Sequence, residues 1–126
     1  MELTNKTILL AEDDSVLSRM YQKGLTLSGA NVLRALNGKE AIKIVNEEHI
    51  DLILLDLMMP VMNGYETIRQ IRTSEKTKNI PIVVLTNLDD HPEFIEKATG
   101  VKIEAYLVKS NVSVEDVIQK ISELIK

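Results

Sequence analysis

The sequence lacks cysteine and tryptophan altogether, and it has only 2 histidines, 3 tyrosines and 1 phenylalanine. Without cysteine there can be no disulfide bond, zinc thiolate site or cysteine nucleophile. The apolar runs are only a few residues long, so we expect neither a membrane-spanning helix nor the apolar centre of a signal peptide. Basic residues form no block and are outnumbered by acidic ones, 15 against 19, for a formal net charge of −4. Direct binding to nucleic acid or to an anionic membrane is therefore not expected.

What the chain does have is the composition of one ordinary soluble domain. Hydrophobic residues make up 44% of the sequence and charged residues 27%. A chain of 126 residues is long enough to bury a real core. We therefore expect residues 1–126 to form a single domain of a reduced, cytoplasmic protein.

Two kinds of segment alternate along the chain. Short β-branched or aliphatic runs predict five strands, at TILLA (7–11), NVLRA (31–35), LILLD (52–56), IVVLT (82–86) and AYLVK (105–109). Apolar residues at helical spacing predict a helix after each strand, around Leu17, Ile42, Ile68, Ile95 and Ile118. Gly29 and Gly100 stand where the first and fourth of these helices should end.

Five strand–helix units in series predict an α/β fold, a doubly wound parallel sheet with helices on both faces. The runs LILL and IVVL are apolar at every position, which is typical of strands covered on both sides. Right-handed crossovers leave few topologies open. Of these we expect, by analogy, the flavodoxin-like (βα)5 arrangement with strand order 2-1-3-4-5.

Polar side chains stand at the predicted carboxyl ends of four strands, the edge where doubly wound folds collect functional groups. They are Glu12, Asp13 and Asp14 after the first strand, Asp56 at the end of the third, Thr86 at the end of the fourth and Lys109 at the end of the fifth. If these strands are neighbours, several carboxylates, a hydroxyl and an ammonium group meet at one rim.

The loop after the first strand, AEDDS, is acidic and contains no glycine. Loops that bind phosphate directly offer glycines or hydroxyls and helix-start amides, so this loop would repel phosphate unless a cation were present. Clustered carboxylates without histidine or cysteine suit a hard divalent cation, Mg²⁺ before zinc. The alternative is that Asp13 or Asp14 only caps the following helix. A cap accounts for one acid but not for acids at two strand ends.

A carboxylate beside Mg²⁺ can accept a phosphoryl group as an acyl phosphate, and Asp56 is the candidate. The ammonium group of Lys109 would offset the charge on the transferring phosphoryl group. The alternatives are that Lys109 is a solvated lysine at a strand end and that Thr86 is an ordinary strand residue.

The constellation resembles the receiver domain of bacterial two-component response regulators over essentially the whole chain. The resemblance is carried, in order and at the family's spacing, by ILLAEDDS (8–15), LILLDLMMPVMNG (52–64), IPIVVLTN (80–87) and AYLVKS (105–110). It implies that Asp56 is the phospho-acceptor and that the cofactor is Mg²⁺. It also implies that Asp13 binds the ion directly, that Glu12 holds it through water, and that the main-chain carbonyl of Met58 is a further ligand.

The resemblance further implies a conformational switch. Thr86 would hydrogen-bond the phosphoryl group while Lys109 pairs with it. As Thr86 moves toward Asp56, the aromatic ring of Tyr106 would turn inward and change the surface made by the fourth helix, fifth strand and fifth helix. The alternative for Tyr106 is a half-buried strand aromatic without a switch role.

The match is not complete. Pro60 and Gly64 agree with the family's loop after the acceptor, and Asp14, one place beyond the acid pair, is assigned to the helix start. Ser110 stands where the family has a proline after a cis peptide, so the bond before it is either trans or a costly cis bond. Asn87 replaces a small residue and should alter access of water or donor to the phosphoryl group. The last helix has no arginine, which argues against the arginine-based pairing of winged-helix regulators.

The implied function is a phospho-accepting signalling receiver rather than an enzyme with a separate substrate. Its partners would be a sensor histidine kinase or a histidine phosphotransfer protein, and a downstream protein or a fused output domain. Apolar residues of the first helix (Val16, Leu17, Met20 or Tyr21) could dock the kinase's helical bundle, although we expect most of them in the core.

Two other functions compete with this reading. A phosphohydrolase of the haloacid dehalogenase type also uses a strand-end aspartate and Mg²⁺, but it needs a second acid two residues later, where this chain has Met58. A pseudo-receiver would bind partners without phosphorylation. The intact acids, threonine and lysine argue against it, while Ser110 and Asn87 keep it open.

Overall fold

The computed structural model of the protein describes residues 2–87 and 92–125, in which strands and helices alternate as the sequence predicts. The strands are β1 (Thr7–Ala11), β2 (Asn31–Ala35), β3 (Leu52–Leu55), β4 (Ile82–Thr86) and β5 (Ala105–Val108). The helices are α1 (Ser15–Leu27), α2 (Gly38–Glu47), α3 (Gly64–Thr73), α4 (Pro92–Thr99) and α5 (Val114–Leu124), and a short 3-10 turn covers Lys109–Asn111.

The five strands form one parallel sheet in the order β2-β1-β3-β4-β5. The predicted flavodoxin-like fold is therefore confirmed. β1 and β3 are neighbours, with Ala11 opposite Leu55, and β3 pairs with β4. The order reverses between β1 and β3, so the loops that follow these two strands open at the same point of the edge.

The sheet separates two apolar clusters because successive residues of a strand point to opposite faces. On one face Ile8, Leu10 and Leu54 pack with α1 and α5. On the other face Leu9 and Leu55 pack with α2, α3 and α4. All four residues of β3 and all five of β4 are buried, as their uninterrupted apolar sequences predict.

The ends of two strands differ from the prediction by one residue. β3 ends at Leu55, so Asp56 is the first residue of the following loop, and β5 ends at Val108, so Lys109 begins the 3-10 turn. Gly29 and Gly100 follow α1 and α4 with φ angles of 98° and 78°, the left-handed conformation expected of helix-ending glycines.

Two arginines of α3 bind main-chain carbonyl groups near the end of α4 and the beginning of β5. Arg69 donates to the carbonyl of Ala98 at 2.9 Å. Arg72 donates to the carbonyls of Lys102 and Ile80 at 3.1 and 2.6 Å and to the Glu104 carboxylate at 2.6 Å. The same carboxylate oxygen accepts the Ile82 main-chain N–H at 2.6 Å. Side chains of α3 therefore hold the α4–β5 loop against the start of β4.

The surface of α1 differs from the expectation that most of its apolar residues lie in the core. Val16 and Met20 are exposed, at 75% and 44%, whereas Leu17 is half-buried and Tyr21 is buried. Val16 and Met20 lie one turn apart on the helix face that points away from the sheet, so burial selects the other face. Across residues 2–87 and 92–125, no helix has both the length and the apolar character needed to cross a membrane.

Candidate functional site

Carboxylates from two neighbouring strands meet at the carboxyl edge of the sheet. Glu12 follows β1 and Asp56 follows β3, and both continue the ladders: the Asp56 N–H donates to the Ala11 carbonyl at 3.0 Å and the Glu12 N–H to the Ala35 carbonyl at 3.1 Å. The backbone at both acids is thus fixed by the sheet. Both side chains are buried, although a buried carboxylate is costly unless it is paired.

Three carboxylates lie close enough together to bind one cation. Glu12, Asp13 and Asp56 can each place one oxygen so that all three lie within 4.8 Å of one another. Asp13 is exposed, which leaves the group open to solvent on one side. Because all the donors are oxygens, the group fits Mg²⁺ better than zinc or copper.

Met58 lies against the same group through its backbone. Its N–H donates to Asp56 Oδ1 at 3.1 Å, which fixes the start of the β3–α3 loop beside the acid. Its side chain is 60% exposed and carries no acid–base group. Met58 could therefore bind a cation through its main chain but not through its side chain.

Lys109 reaches from the end of β5 into the acid cluster. Its Nζ lies 2.8 Å from Asp56 Oδ2 and also donates to the Glu12 carboxylate, and its side chain is only 10% exposed. The sequence placed Lys109 beside Asp56 but did not predict the ion pair with Glu12. One ammonium group thus bridges the buried acids of β1 and β3.

Burial and pairing shift the pKa values of Glu12 and Lys109. Burial raises the pKa of Glu12 to about 7, although its hydrogen bond with Lys109 acts in the opposite direction. Burial alone would lower the pKa of Lys109, but hydrogen bonds with Asp56 and Glu12 outweigh it and raise that pKa. Lys109 therefore remains a cation at neutral pH, whereas Glu12 is poised between its two forms.

Asp14 belongs to the helix rather than to the acid cluster. Its Oδ1 accepts the N–H groups of Val16 and Leu17 at 2.9 and 3.0 Å, which makes it the N-cap of α1. The assignment of Asp14 to the helix start is confirmed.

The remaining sequence-predicted residues lie on β4 and β5 or directly after these strands. Thr86 is fully buried as the last residue of β4, and Tyr106 is half-buried on β5 opposite Val84. Asn87 is exposed and lines an open cavity of about 410 Å³ together with Lys109. No peptide bond in residues 2–87 or 92–125 is cis, so the bond between Lys109 and Ser110 is trans.

The loop between β3 and α3 is tightly constrained. Val61 has a φ angle of 68°, which is strained for a β-branched residue, and the Met62 N–H donates to the Pro60 carbonyl at 2.7 Å. Gly64 is the first residue of α3, and a Cβ there would lie 2.6 Å from the Asp56 carbonyl oxygen. The chain needs glycine at this position because the backbones approach closely.

Sequence reasoning missed Tyr21 as a neighbour of the site. Its ring is buried on α1 and lines the same cavity as Asn87 and Lys109. Burial raises the pKa of Tyr21, and nearby Lys109 partly opposes that shift. The apolar periodicity of α1 predicted Tyr21 as a core residue, and no feature of the sequence indicated that it lies near Lys109.

Comparisons with known proteins agree on one family. The family model described as the response regulator receiver domain matches residues 8–122. The probable transcriptional regulator ycf27 of Cyanidium caldarium is 40% identical over 104 residues, which cover 81% of this chain and 39% of that protein. The chain therefore spans about two fifths of the length of this curated relative.

Two solved structures are similar along nearly their whole length. The chemotaxis response regulator CheY4 of Vibrio cholerae has a TM-score of 0.84 at 28% identity, over 96% of this chain and 99% of that one. The receiver domain of the sensor histidine kinase PA1611 from Pseudomonas aeruginosa PAO1 has a TM-score of 0.82 at 28% identity, over 95% and 96% of the chains. That receiver domain holds a magnesium ion coordinated in its active site cleft.

Proposed function

Because the chain belongs to the response regulator receiver domain family, we propose that it accepts a phosphoryl group on Asp56 from a phosphohistidine donor. The observation that carries the proposal is the placement of Asp56. This carboxylate directly follows a buried strand, next to two further acids and in contact with an ammonium group. Such an arrangement of acids and a cation suits phosphoryl transfer to an aspartate.

In the proposed reaction, a carboxylate oxygen of Asp56 attacks the phosphorus atom of the donor phosphohistidine. The new O–P bond forms as the N–P bond breaks, and the electron pair of that bond returns to the imidazole nitrogen. Lys109, already 2.8 Å from Asp56 Oδ2, pairs with the phosphoryl oxygens. Mg²⁺, bound by Asp13, Asp56 and the Met58 carbonyl and through water by Glu12, would neutralise charge on the phosphoryl group. The same site would later release phosphate slowly, without turning over a separate substrate.

The signal would pass through β4 and β5. Thr86, buried at the end of β4, would donate its hydroxyl to the phosphoryl group, and Tyr106 on the adjacent β5 would turn inward in response. Asn87, on the cavity beside Lys109, would tune the access of water to the acyl phosphate. Phosphorylation would thereby bias two pre-existing states of the α4–β5–α5 surface.

The proposed donor is a sensor histidine kinase or a histidine phosphotransfer protein. The exposed side chains of Val16 and Met20 at the active-site end of α1 support docking of the donor's helical bundle there. The curated relative is a probable transcriptional regulator of greater length. We therefore propose that the signal passes to a fused output domain or to a separate downstream partner. We propose that residues 1–126 act as the receiver unit and that the protein works in the cytoplasm.

The experiment is to incubate the protein with acetyl phosphate and MgCl₂ and to follow its intact mass. The proposal predicts the gain of one phosphoryl group, which is lost in Asp56→Asn and in the presence of EDTA. The matched control is Asp51→Asn, an acid at the opposite edge of the sheet, which should still gain the group. An unmodified wild-type protein under every phosphodonor would contradict the proposal in favour of a pseudo-receiver. Steady release of phosphate at enzymatic rates would contradict it in favour of a hydrolase.

A further inference from the structure

Gly38, the first residue of α2, lies in close contact with the β3–α3 loop. Its N–H donates to the Met62 carbonyl at 3.0 Å. A Cβ at this position would lie 2.4 Å from that carbonyl oxygen and 2.1 Å from Oγ1 of Thr67. The Met62 oxygen belongs to the backbone, and the Thr67 hydroxyl donates to the Asn63 carbonyl at 2.8 Å, so a larger residue at position 38 must displace the loop backbone.

Helix caps fix the chain next to both partners of this contact. At the start of α2, the Asn37 side chain accepts the Glu40 N–H at 2.9 Å, and the Glu40 side chain accepts the Leu36 N–H at 3.1 Å. At the start of α3, the Asn63 side chain accepts the Glu66 N–H at 3.0 Å. Because both helix starts are capped, a shift of the Met62 carbonyl would fall on the constrained loop between Asp56 and Asn63.

That loop leads directly to the proposed cation ligands. Met62 is tied to Pro60 through the strained turn at Val61, and the next residues back along the chain are Met59 and Met58. The Met58 N–H in turn donates to Asp56 Oδ1 at 3.1 Å. Only four positions therefore separate the carbonyl that Gly38 contacts from Met58, whose N–H is bonded to the acceptor.

We infer that Gly38 is a positioning residue for the cation site, acting through the Met62 carbonyl on the Met58 carbonyl. The inference rests on the proposed function, because it concerns the placement of the Mg²⁺ ligands. Gly38 contacts neither the cation nor the phosphoryl group. Because it has no side chain, Gly38 lets α2 lie close to the loop. This contact holds the loop in the conformation in which Met58 is next to the acids.

The test is the dissociation constant for Mg²⁺ of Gly38→Ala, measured by calorimetric titration in the absence of a phosphodonor. We expect binding to weaken by about tenfold, the size typical of lost support for a metal ligand. The matched control is Gly100→Ala, where φ is 78° and no atom lies within 4 Å of a Cβ. This control should lose stability through backbone strain but keep its affinity for Mg²⁺.

A second variant distinguishes an effect of the loop on Mg²⁺ binding from a general loss of stability. In Gly38→Ala combined with Thr67→Ala, the contact with Oγ1 is removed while the contact with the Met62 carbonyl remains. We expect stability to recover in part and the affinity for Mg²⁺ to stay low, compared with Thr67→Ala alone. Wild-type affinity in Gly38→Ala or in the double variant would overturn the inference, as would an equal loss in Gly100→Ala. Absence of Mg²⁺ binding in the wild type would instead overturn the proposed cation site itself.

Discussion

Replacing Arg72 with methionine should lower the free energy of unfolding by about 3 kcal/mol. The side chain is only 9% exposed and joins α3 to two other parts of the chain, the segment before β4 at Ile80 and the α4–β5 loop at Lys102 and Glu104. Methionine keeps most of the side-chain volume, so the loss reports the polar contacts rather than a cavity. The carbonyl of Ile80 and the Glu104 carboxylate lose the shortest bonds, both 2.6 Å.

The magnitude follows from those two contacts. A hydrogen bond from a charged donor is worth about 1.5 to 3 kcal/mol. The Ile80 carbonyl is half-buried and would be left without its donor, so the free energy lost there should lie in the upper part of that range. Glu104 is 38% exposed, so its share is reduced by solvent screening. The exposed carbonyls of Lys78 and Lys102 regain water and add little.

The assay is urea unfolding followed by far-ultraviolet circular dichroism, since the chain has no tryptophan. The matched control is Arg69→Met, on the same helix. Its ion pair with Glu66 is exposed at both ends, and the exposed Ala98 carbonyl that it also binds regains water, so the loss should be about 0.5 kcal/mol. An equal loss in both variants, or a loss below about 1 kcal/mol in Arg72→Met, would refute the reasoning from burial.

Three further predictions concern the site and its surroundings. Because burial raises the pKa of Glu12 from 4.5 to about 7, the folded state binds its proton more tightly than the unfolded state. With divalent cations chelated, stability should therefore fall by on the order of 3 kcal/mol as the pH rises from below 4.5 through 7, and urea titrations of Glu12→Gln should lack this slope. Val61→Asn should raise the melting temperature, because asparagine adopts a φ of 68° with less strain than a β-branched residue, which should add about 1 kcal/mol to the free energy of unfolding. A lower melting temperature would contradict backbone strain at Val61. Asp14→Ala should cost about 1 kcal/mol by removing the α1 cap while leaving the mass gain with acetyl phosphate intact; loss of that gain would place Asp14 in the site.

The fold could be predicted from the sequence because its signals are local and repeated. Apolar runs such as LILL and IVVL specify buried strands, and the glycines at 29 and 100 mark helix ends by a backbone requirement that few other residues meet. The one-residue errors at Asp56 and Lys109 arise because a polar residue at a strand end can be the last of the ladder or the first of the loop.

The details that could not be predicted depend on contacts between distant segments. The ion pair of Lys109 with Glu12 requires β5, the 3-10 turn and β1 to be placed in three dimensions. Helical periodicity showed that α1 is amphipathic but did not show where its apolar stripe ends. The expectation that most of its four apolar candidates lie in the core was therefore wrong, since Val16 and Met20 are exposed. Nothing in the sequence alone distinguishes Gly38 from an ordinary helix-start glycine; only the distance to Met62 does.

The bridging lysine also has a consequence for how the chain is made. Glu12 and Asp56 directly follow strands in the first half of the chain, whereas their ammonium partner lies 53 residues after Asp56. At ordinary rates of synthesis, those 53 residues take roughly 3 to 11 seconds to be added. During that interval, two carboxylates destined for burial have no internal counter-ion, so the first three strands cannot close around them without penalty. We therefore expect compaction at this edge to be less favourable until the fifth strand has been added, unless a cation or a proton neutralises the acids first.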